Sequence, residues 1–388
     1  MDILKIILSF VLICGGLVYL SSCIAAVSGH FRSHKKQNNY TPPVSVIIPA
    51  RNEEKNIGAL LEDLLNQDYP PERLEIVVVD DCSDDNTRNI VEDMIANDKR
   101  IRFTDTRNSQ SPYTHKKRAV HQGILSSSGE IIMTTDADCR IPKSWVSRTV
   151  SYFVPEIDLV TGDVIVEGGG FLGWLEALEA TGIHAMAAGL MNSRFPITCN
   201  GANLAYRRSA FERVNGFEGI GHMVSGDDDL LMQKIAKEKS SCVAFISGKE
   251  TAVYNNAVKS PGEYFARRAR WASKILRYPS AGAIALLTFF FAFFISVPVW
   301  LVLALFGVVG YGPLVAGFVL KVSGDILLTF LGAIKRGQVR LMLVFPVAEV
   351  LHIPYIIFVT LHGVFGSFEW RGRRTTAVSP EYRGNVND

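Results

Sequence analysis

Three groups of carboxylates stand out in this chain: Asp80-Asp81, Asp136-Ala137-Asp138 and Asp227-Asp228-Asp229. The first two each close a run of apolar residues, "EIVVVDD" (75–81) and "EIIMTTDAD" (130–138). Aspartate is common wherever a strand gives way to a turn, and that accounts for any one of them alone. Two pairs ending two buried strands fit another chemistry better, because an open parallel sheet binds its ligands at the carboxyl ends of its strands. No G-x-G-x-x-G follows the first strand and no G-x-x-x-x-G-K-[ST] occurs anywhere, so the chain has no glycine-rich backbone cradle for phosphate. Carboxylates hold phosphate only through a hard cation, and Mg²⁺ or Mn²⁺ suits oxygen ligands. The third group precedes "LLMQKIAK" and reads as a helix N-cap cluster, in which adjacent acids raise one another's pKa.

A doubly wound sheet must carry the first two groups. "VSVIIPA" (44–50) is a β-branched run of the kind buried on both faces of a parallel sheet. Residues 52–67 follow as a helix, with Ile57, Leu60, Leu61, Leu64 and Leu65 at helical spacing and acids in the first turn. Strand 75–81, helix 86–98, strand 100–106, helix 116–126 and strand 130–138 continue the alternation, which predicts an α/β domain over residues 42–278. The segment 168–191 places Phe171, Leu172, Trp174, Leu175 and Leu178 near helical spacing. Both an interfacial helix at lipid headgroups and an ordinary core helix explain it.

Lysine and arginine total 40 against 38 acids, which excludes a nucleic-acid binder and a disordered polyelectrolyte. The apolar residues gather at the two ends. Residues 1–28 are long enough to cross a bilayer, and the basic linker 29–41, with "HFRSHKK" at its start, sets the following domain in the cytoplasm by the positive-inside rule. A cleaved signal peptide and a lipoprotein box at "LSSC" are the competing readings of this start. Residues 279–368 hold two to three further membrane helices, with Lys321 and Asp325 four apart and able to pair on one face. Four crossings would put the basic stretch "EWRGRR" of the polar tail (369–388) outside, against its charge, so one C-terminal segment is expected to be re-entrant or interfacial. Six cysteines without a C-x-x-C pair suit free thiols in a reducing compartment.

"VSVIIPARNEE", "VVVDDCSDDNT", "TTDADC", "NGANLAYRRSAFERVNGF", "SGDDDLL" and "RRARW", in that order over residues 44–271, resemble the motifs of the family 2 glycosyltransferases. The likeness is to the membrane-bound inverting branch that includes ceramide glucosyltransferase-like, chitin synthase-like and cellulose synthase-like enzymes. The resemblance implies a GT-A fold, Rossmann-like with a mostly parallel sheet, flanked by transmembrane helices. It implies a nucleotide-diphosphate sugar donor bound by Pro49, Ala50, Arg51, Asn52, Asp81, Lys116, Asp136 and Arg267. Lys116 reads equally as a solvated lysine at a helix start. Asp138, with Asp136, would hold Mg²⁺ or Mn²⁺, and Asn200, Gly201, Ala202 and Asn203 would lie on the acceptor side with Trp271.

Aligning the D-x-D-L ending of "SGDDDLL" puts the general base at Asp227. Gly226 replaces the usual glutamate, which leaves Asp228 as the competing choice. Arg270 would offer a fork to the departing diphosphate, Trp271 an aromatic face to the acceptor, and Arg268 a headgroup contact. His184 reads as a packed or acceptor-side histidine rather than a metal ligand. The activity implied is transfer to a lipid or lipid-linked envelope acceptor from a multi-pass protein of the cell (inner) membrane, with no nucleic acid and with protein partners unspecified. A processive polysaccharide synthase and an inactive sugar-nucleotide-binding scaffold are the alternatives.

Overall fold

Seven residues of alternating and continuous apolar character, Val44–Ala50, form the strand around which the domain is built, and all but Pro49 are buried. The computed structural model describes residues 2–375 apart from 33–35, 38, 108, 110, 224, 239–241, 275–276, 367 and 371–372. Most of the polar tail, and part of "HFRSHKK", therefore lie outside the described residues. The strands are β1 (Val44–Ala50), β2 (Leu74–Asp80), β3 (Ile101–Asp105), β4 (Ile131–Thr134), β5 (Cys139–Arg140), β6 (Ile157–Gly162), β7 (Val164–Glu167), β8 (Leu204–Arg207), β9 (Cys242–Ile246), β10 (Val253–Asn256), β11 (Phe368–Trp370) and β12 (Arg373–Thr375). The helices are α1 (Asp2–Gly29), α2 (Ile57–Leu65), α3 (Thr87–Asn97), α4 (His115–Leu125), α5 (Trp145–Val150), α6 (Gly170–Asn192), α7 (Arg208–Arg213), α8 (Asp229–Lys237), α9 (Pro261–Ala272), α10 (Ala281–Leu305), α11 (Gly312–Arg336) and α12 (Phe345–Phe365).

The main sheet runs β3-β2-β1-β4-β8-β6-β9. β1 pairs in parallel with both β2 and β4, whereas β8 runs antiparallel to both its neighbours. A mostly parallel sheet with one reversed strand is the result, and the crossover between β2 and β4 opens a crevice at the carboxyl end of β1. Asp81 and Asp136 follow β2 and β4 at that edge. The helix predicted over 52–67 starts only at Ile57, with no acid in its first turn. Residues 51–56 are instead a turn in which Asn52 takes a left-handed backbone (φ 55°).

Among the described residues four helices are long and apolar enough to cross a membrane, the fourth counted with the 3₁₀ turn that precedes α12. Three of them form a bundle. Gly317 of α11 meets Leu12 of α1 and Gly324 meets Cys23, so α1 and α11 run parallel. α10 runs the other way, with Phe293 against Gly15 and Phe290 against Tyr19. Lys321 pairs with Asp325 at 2.8 Å, as the spacing predicts, and also reaches the Glu349 carboxylate of α12.

The bundle is not a detached anchor. α6 packs so closely on α1 that a Cβ on Gly189 would lie 2.0 Å from the Ala26 carbonyl oxygen. A single apolar cluster runs from Ile47 and Val79 of the sheet through Ala185 and Ala188 of α6 to Cys23, Phe293 and Leu328 of the bundle. The two readings of segment 168–191 divide along its length: from Leu178 onward it is largely a core helix caught between sheet and bundle, whereas Phe171 is exposed and Leu172, Trp174 and Leu175 are half-buried. At the end of α11, Arg336 (2% exposed) enters the α/β domain and pairs with the fully buried Asp163.

α12 behaves differently from the other three. Near its start Phe345 and Ala348 pack with Val166, Ala177 and Leu178 of the α/β domain. Near its end a Cβ on Gly363 would lie 2.5 Å from the Ala269 carbonyl of α9. Both ends of a helix roughly 31 Å long, at 1.5 Å per residue, therefore rest on the α/β domain. β11 then lies alongside α9. The segment lies along the domain.

Candidate active site

A cavity of about 780 Å³ opens at the carboxyl edge of the sheet. Pro49, Ala50 and Arg51 line one wall with Asp81, Lys116, Asp136 and Asp138. Asp81 Oδ1 accepts from Thr106 Oγ1 and from Arg118, each at 2.7 Å, and Arg51 donates to the Asp81 carbonyl at 2.9 Å. Asn52 is displaced from this group: it faces an adjoining cavity of about 380 Å³, which shares Arg51, Asp138 and Arg267 with the first. Cys82 (φ 62°), after β2, and His115 (φ 52°), at the start of α4, join Asn52 in left-handed backbone. Such conformations concentrate where a fold shapes a functional site.

Asp136 and Asp138 stand at the end of β4 and both face the cavity. Among the described residues no group of three or more His, Cys, Asp or Glu is placed to hold a metal. Two carboxylates are what Mg²⁺ or Mn²⁺ takes from a protein when phosphate oxygens and water complete its shell, so the residues present fit such an ion. Lys116 Nζ lies 2.6 Å from Asp136 and 3.2 Å from Asp227. The lysine is no solvated helix start. Burial opposes its charge, but Asp136 and Asp227 outweigh burial and raise its pKa.

The acid triplet faces this pair from across the cavity. Gly226, in the place of the usual glutamate, has φ 92°, and a Cβ there would strike Leu230 Cδ1 at 2.4 Å. The local backbone thus explains why glycine stands here. Asp228 is held fast: Oδ2 accepts from Gly201 N at 3.2 Å, Oδ1 caps α8 at Asp229 N, and Lys274 lies 3.3 Å away. Burial alone would raise its pKa, yet Lys274 and Lys116 hold it well below the usual carboxylate range. Asp229 goes the other way, pushed up to about 6 chiefly by burial, although Lys274 at 2.8 Å pulls it down. The expectation that adjacent acids raise one another holds for Asp229, which Asp228 helps to raise, and fails for Asp228, which the lysines lower. Lys117, whose pKa burial lowers to about 8, donates to the carbonyls of Met223 (2.8 Å) and Ser225 (2.6 Å) and so fixes the loop that leads into Asp227.

Residues 200–203 tie these walls together. Asn200 Oδ1 accepts from Ala202 N (3.0 Å), and the Gly201 carbonyl accepts from Thr134 Oγ1 (2.8 Å) at the end of β4. Asn200, Gly201 and Ala202 line the cavity. Asn203 does not follow its acceptor-side expectation. Its amide is buried, donating to the Asp163 and Thr251 carbonyls (2.8 Å each) and accepting from Trp145 Nε1 (2.9 Å).

α9 supplies the roof. Arg270 donates to Ser225 Oγ at 3.2 Å and lines the cavity beside Trp271. Arg267 pairs with Glu176 (3.2 Å) and Glu263 (3.4 Å). Arg268 overturns its reading as a headgroup contact: it is buried, pairs with Glu179 at 2.7 Å and lies over the Trp271 ring at 4.3 Å. His184 is packed, its Nδ1 accepting from Val164 N at 3.3 Å, and burial lowers its pKa to about 3. Lys274, Arg118 and Glu179 were not visible beforehand. "HKKRA" holds Arg118 in a basic run that singles out no member, and Lys274 follows "RRARW" by only three residues.

A second hollow, of about 670 Å³, extends from the cavity toward the bundle. Leu172, Leu175, Phe290, Phe294 and Phe358 give it an apolar wall, and Glu179, Ile183, Tyr355 and Ile356 belong to both spaces.

Residues 131–361 match the model of "Glycosyl transferase family group 2", and residues 45–214 that of "Glycosyl transferase family 2". A probable glycosyltransferase, YdaM of Bacillus subtilis, is 34% identical over 182 residues, 46% of this chain and 43% of the relative. A beta-monoglucosyldiacylglycerol synthase of Synechocystis is 31% identical over 112 residues, 29% of this chain and 23% of the relative. The matches thus span less than half the length of these two curated relatives. The mannosyltransferase PcManGT of Pyrobaculum calidifontis, solved with GDP-Man and Mn²⁺, shares the fold at a TM-score of 0.59 and 18% identity, over 90% of this chain and 99% of that one.

Proposed function

The chain belongs to glycosyltransferase family 2, and from that premise we propose that it is a membrane-bound inverting enzyme moving a sugar from a nucleotide-diphosphate donor to a lipid or lipid-linked acceptor. One observation carries the reading: Asp136 and Asp138 face Asp227 across a single cavity that continues into an apolar hollow at the membrane bundle. Asp81, Arg51 and Ala50 bind the nucleoside, and Arg270 orients the diphosphate. A divalent cation, held by Asp138 with Asp136, supplies charge neutralisation when the diphosphate leaves. Asp227 takes the acceptor's proton on the face opposite the leaving group, which requires inversion at the anomeric carbon. Trp271, its ring backed by Arg268, offers the acceptor a flat apolar face.

Transfer should be assayed with UDP-glucose, UDP-N-acetylglucosamine and GDP-mannose in turn, all α-linked donors. The product formed by the full-length chain is expected to be β-linked, as read from the one-bond C1–H1 coupling in NMR, which separates the anomers of all three sugars, and an α-linked product would sink the inverting mechanism. The topology that fits this chemistry puts the domain and the tail in the cytoplasm, with α1, α10 and α11 crossing and α12 interfacial. On intact cells a membrane-impermeant thiol reagent should reach Gly310→Cys, in the α10–α11 turn, but neither the exposed native Cys242 nor Ser379→Cys. Labelling at Ser379→Cys would instead make α12 a fourth crossing.

A further inference from the structure

The two joined spaces share an electrostatic property that bears on which acceptor they take. Three acids line the apolar hollow, Glu179, Asp325 and Glu349, and among the described residues no lysine or arginine lines it. The cations nearest these acids stand behind them as counter-ions, Lys321 for Asp325 and Glu349 and Arg268 for Glu179. The catalytic cavity presents nine carboxylates against six lysines and arginines. Lys116 and Lys274 each lie between two of those acids, and Arg267 and Arg268 lie on Glu176 and Glu179. A donor diphosphate brings further negative charge, and one divalent ion does no more than offset it. A second anion entering either space meets like charge, and within the screening length of about 8 Å at physiological salt that repulsion persists.

The acid at Asp227 points the same way. A phosphate monoester is already ionised near neutral pH and attacks without losing a proton. A hydroxyl must lose one, and a positioned carboxylate is what accepts it.

We propose that the acceptor is an electrically neutral, hydroxyl-bearing lipid whose hydrocarbon tail occupies the hollow beside α6, α10 and α12, and that lipid phosphates are excluded. In the step, the acceptor O–H bond breaks and its proton passes to Asp227. The oxygen bonds to the anomeric carbon, whose bond to the diphosphate breaks, and the electron pair leaves with the nucleoside diphosphate. A neutral glycolipid results. The inference rests on the transferase reading above.

The test uses membranes carrying the full-length chain, the same three donors in radiolabelled form, and an Asp227→Asn control. Label is expected in an organic-phase lipid that passes an anion exchanger and survives mild acid. Label retained by the exchanger and released by mild acid, as from a glycosyl phosphate, overturns the proposal, and so does label confined to a water-soluble polymer. Label no higher than the control removes the transferase reading and this inference with it. Competition gives an independent arm. Citronellol should suppress labelling at a concentration about tenfold lower than citronellyl phosphate, the ratio expected from a modest charge penalty. Glu179→Gln, which removes one of the two carboxylates beside Arg268, should narrow that ratio, and equal or stronger inhibition of the wild type by the phosphate overturns the proposal.

Discussion

Asp227→Asn should bind donor nucleotide as the wild type does and lose sugar transfer by about 10²- to 10⁴-fold, the usual range for removing a general base. The structure separates this residue from its two neighbours. Asp228 spends both oxygens on Gly201 N, Asp229 N and Lys274, and its carboxyl is held far below the pKa a base needs. Asp229 is buried against Lys274 and the Tyr278 hydroxyl (2.9 Å) at the head of α8. Asp227 lines the cavity with Lys116 as its near partner. Asp228→Asn keeps an acceptor oxygen for Gly201 N, so its transfer rate is expected to stay within roughly tenfold of wild type. Rates should be read beside nucleotide binding, so that a donor-site defect is not taken for a chemical one. Exchanged outcomes for the two variants would assign the base to Asp228.

Asp138→Asn should cut transfer on the order of a hundredfold or more, since charge neutralisation at a leaving group is among the largest single contributions to such steps. Excess EDTA should silence the wild type, and either Mg²⁺ or Mn²⁺ should restore it. Asp136, one oxygen of which accepts from Lys116 at 2.6 Å, is expected to share this load, so Asp136→Asn should lose activity as well. Undiminished transfer in excess EDTA would falsify the cation's role outright.

The sheet was readable from the sequence because a strand buried on both faces announces itself as an unbroken apolar run, and β1, β2 and β4 are such runs. The acids that follow β2 and β4 were readable for the same reason, since charge after such a run marks the sheet's edge. Asn203 and Arg268 were misassigned because motif position does not report side-chain direction. One amide turned inward to close the gap between β6 and β10, and one guanidinium met two glutamates of α6, 89 residues away at Glu179. Lys274 escaped because its partners lie 45 or 46 residues earlier, at a separation no local pattern encodes. The surplus C-terminal segment was legible as a conflict of charge and parity. The packing of α12 on the domain is what favours it as the helix that resolves the conflict.

The pairing of Arg336 with Asp163 imposes an order of events on the ribosome. Asp163 is made 173 residues before its partner, which at 5–20 residues per second means a wait of roughly 9 to 35 seconds. Through that interval its carboxylate cannot be buried unpaired without a penalty of several kcal/mol. The turn between β6 and β7, which belong to different sheets, and Asn203, which donates to the Asp163 carbonyl, are therefore expected to finish folding only after α11 has been made. A nascent chain that stalls before residue 336 holds Asp163 without its guanidinium partner, and limited proteolysis of chains ending before and after that residue is expected to show the difference at the β6–β7 turn.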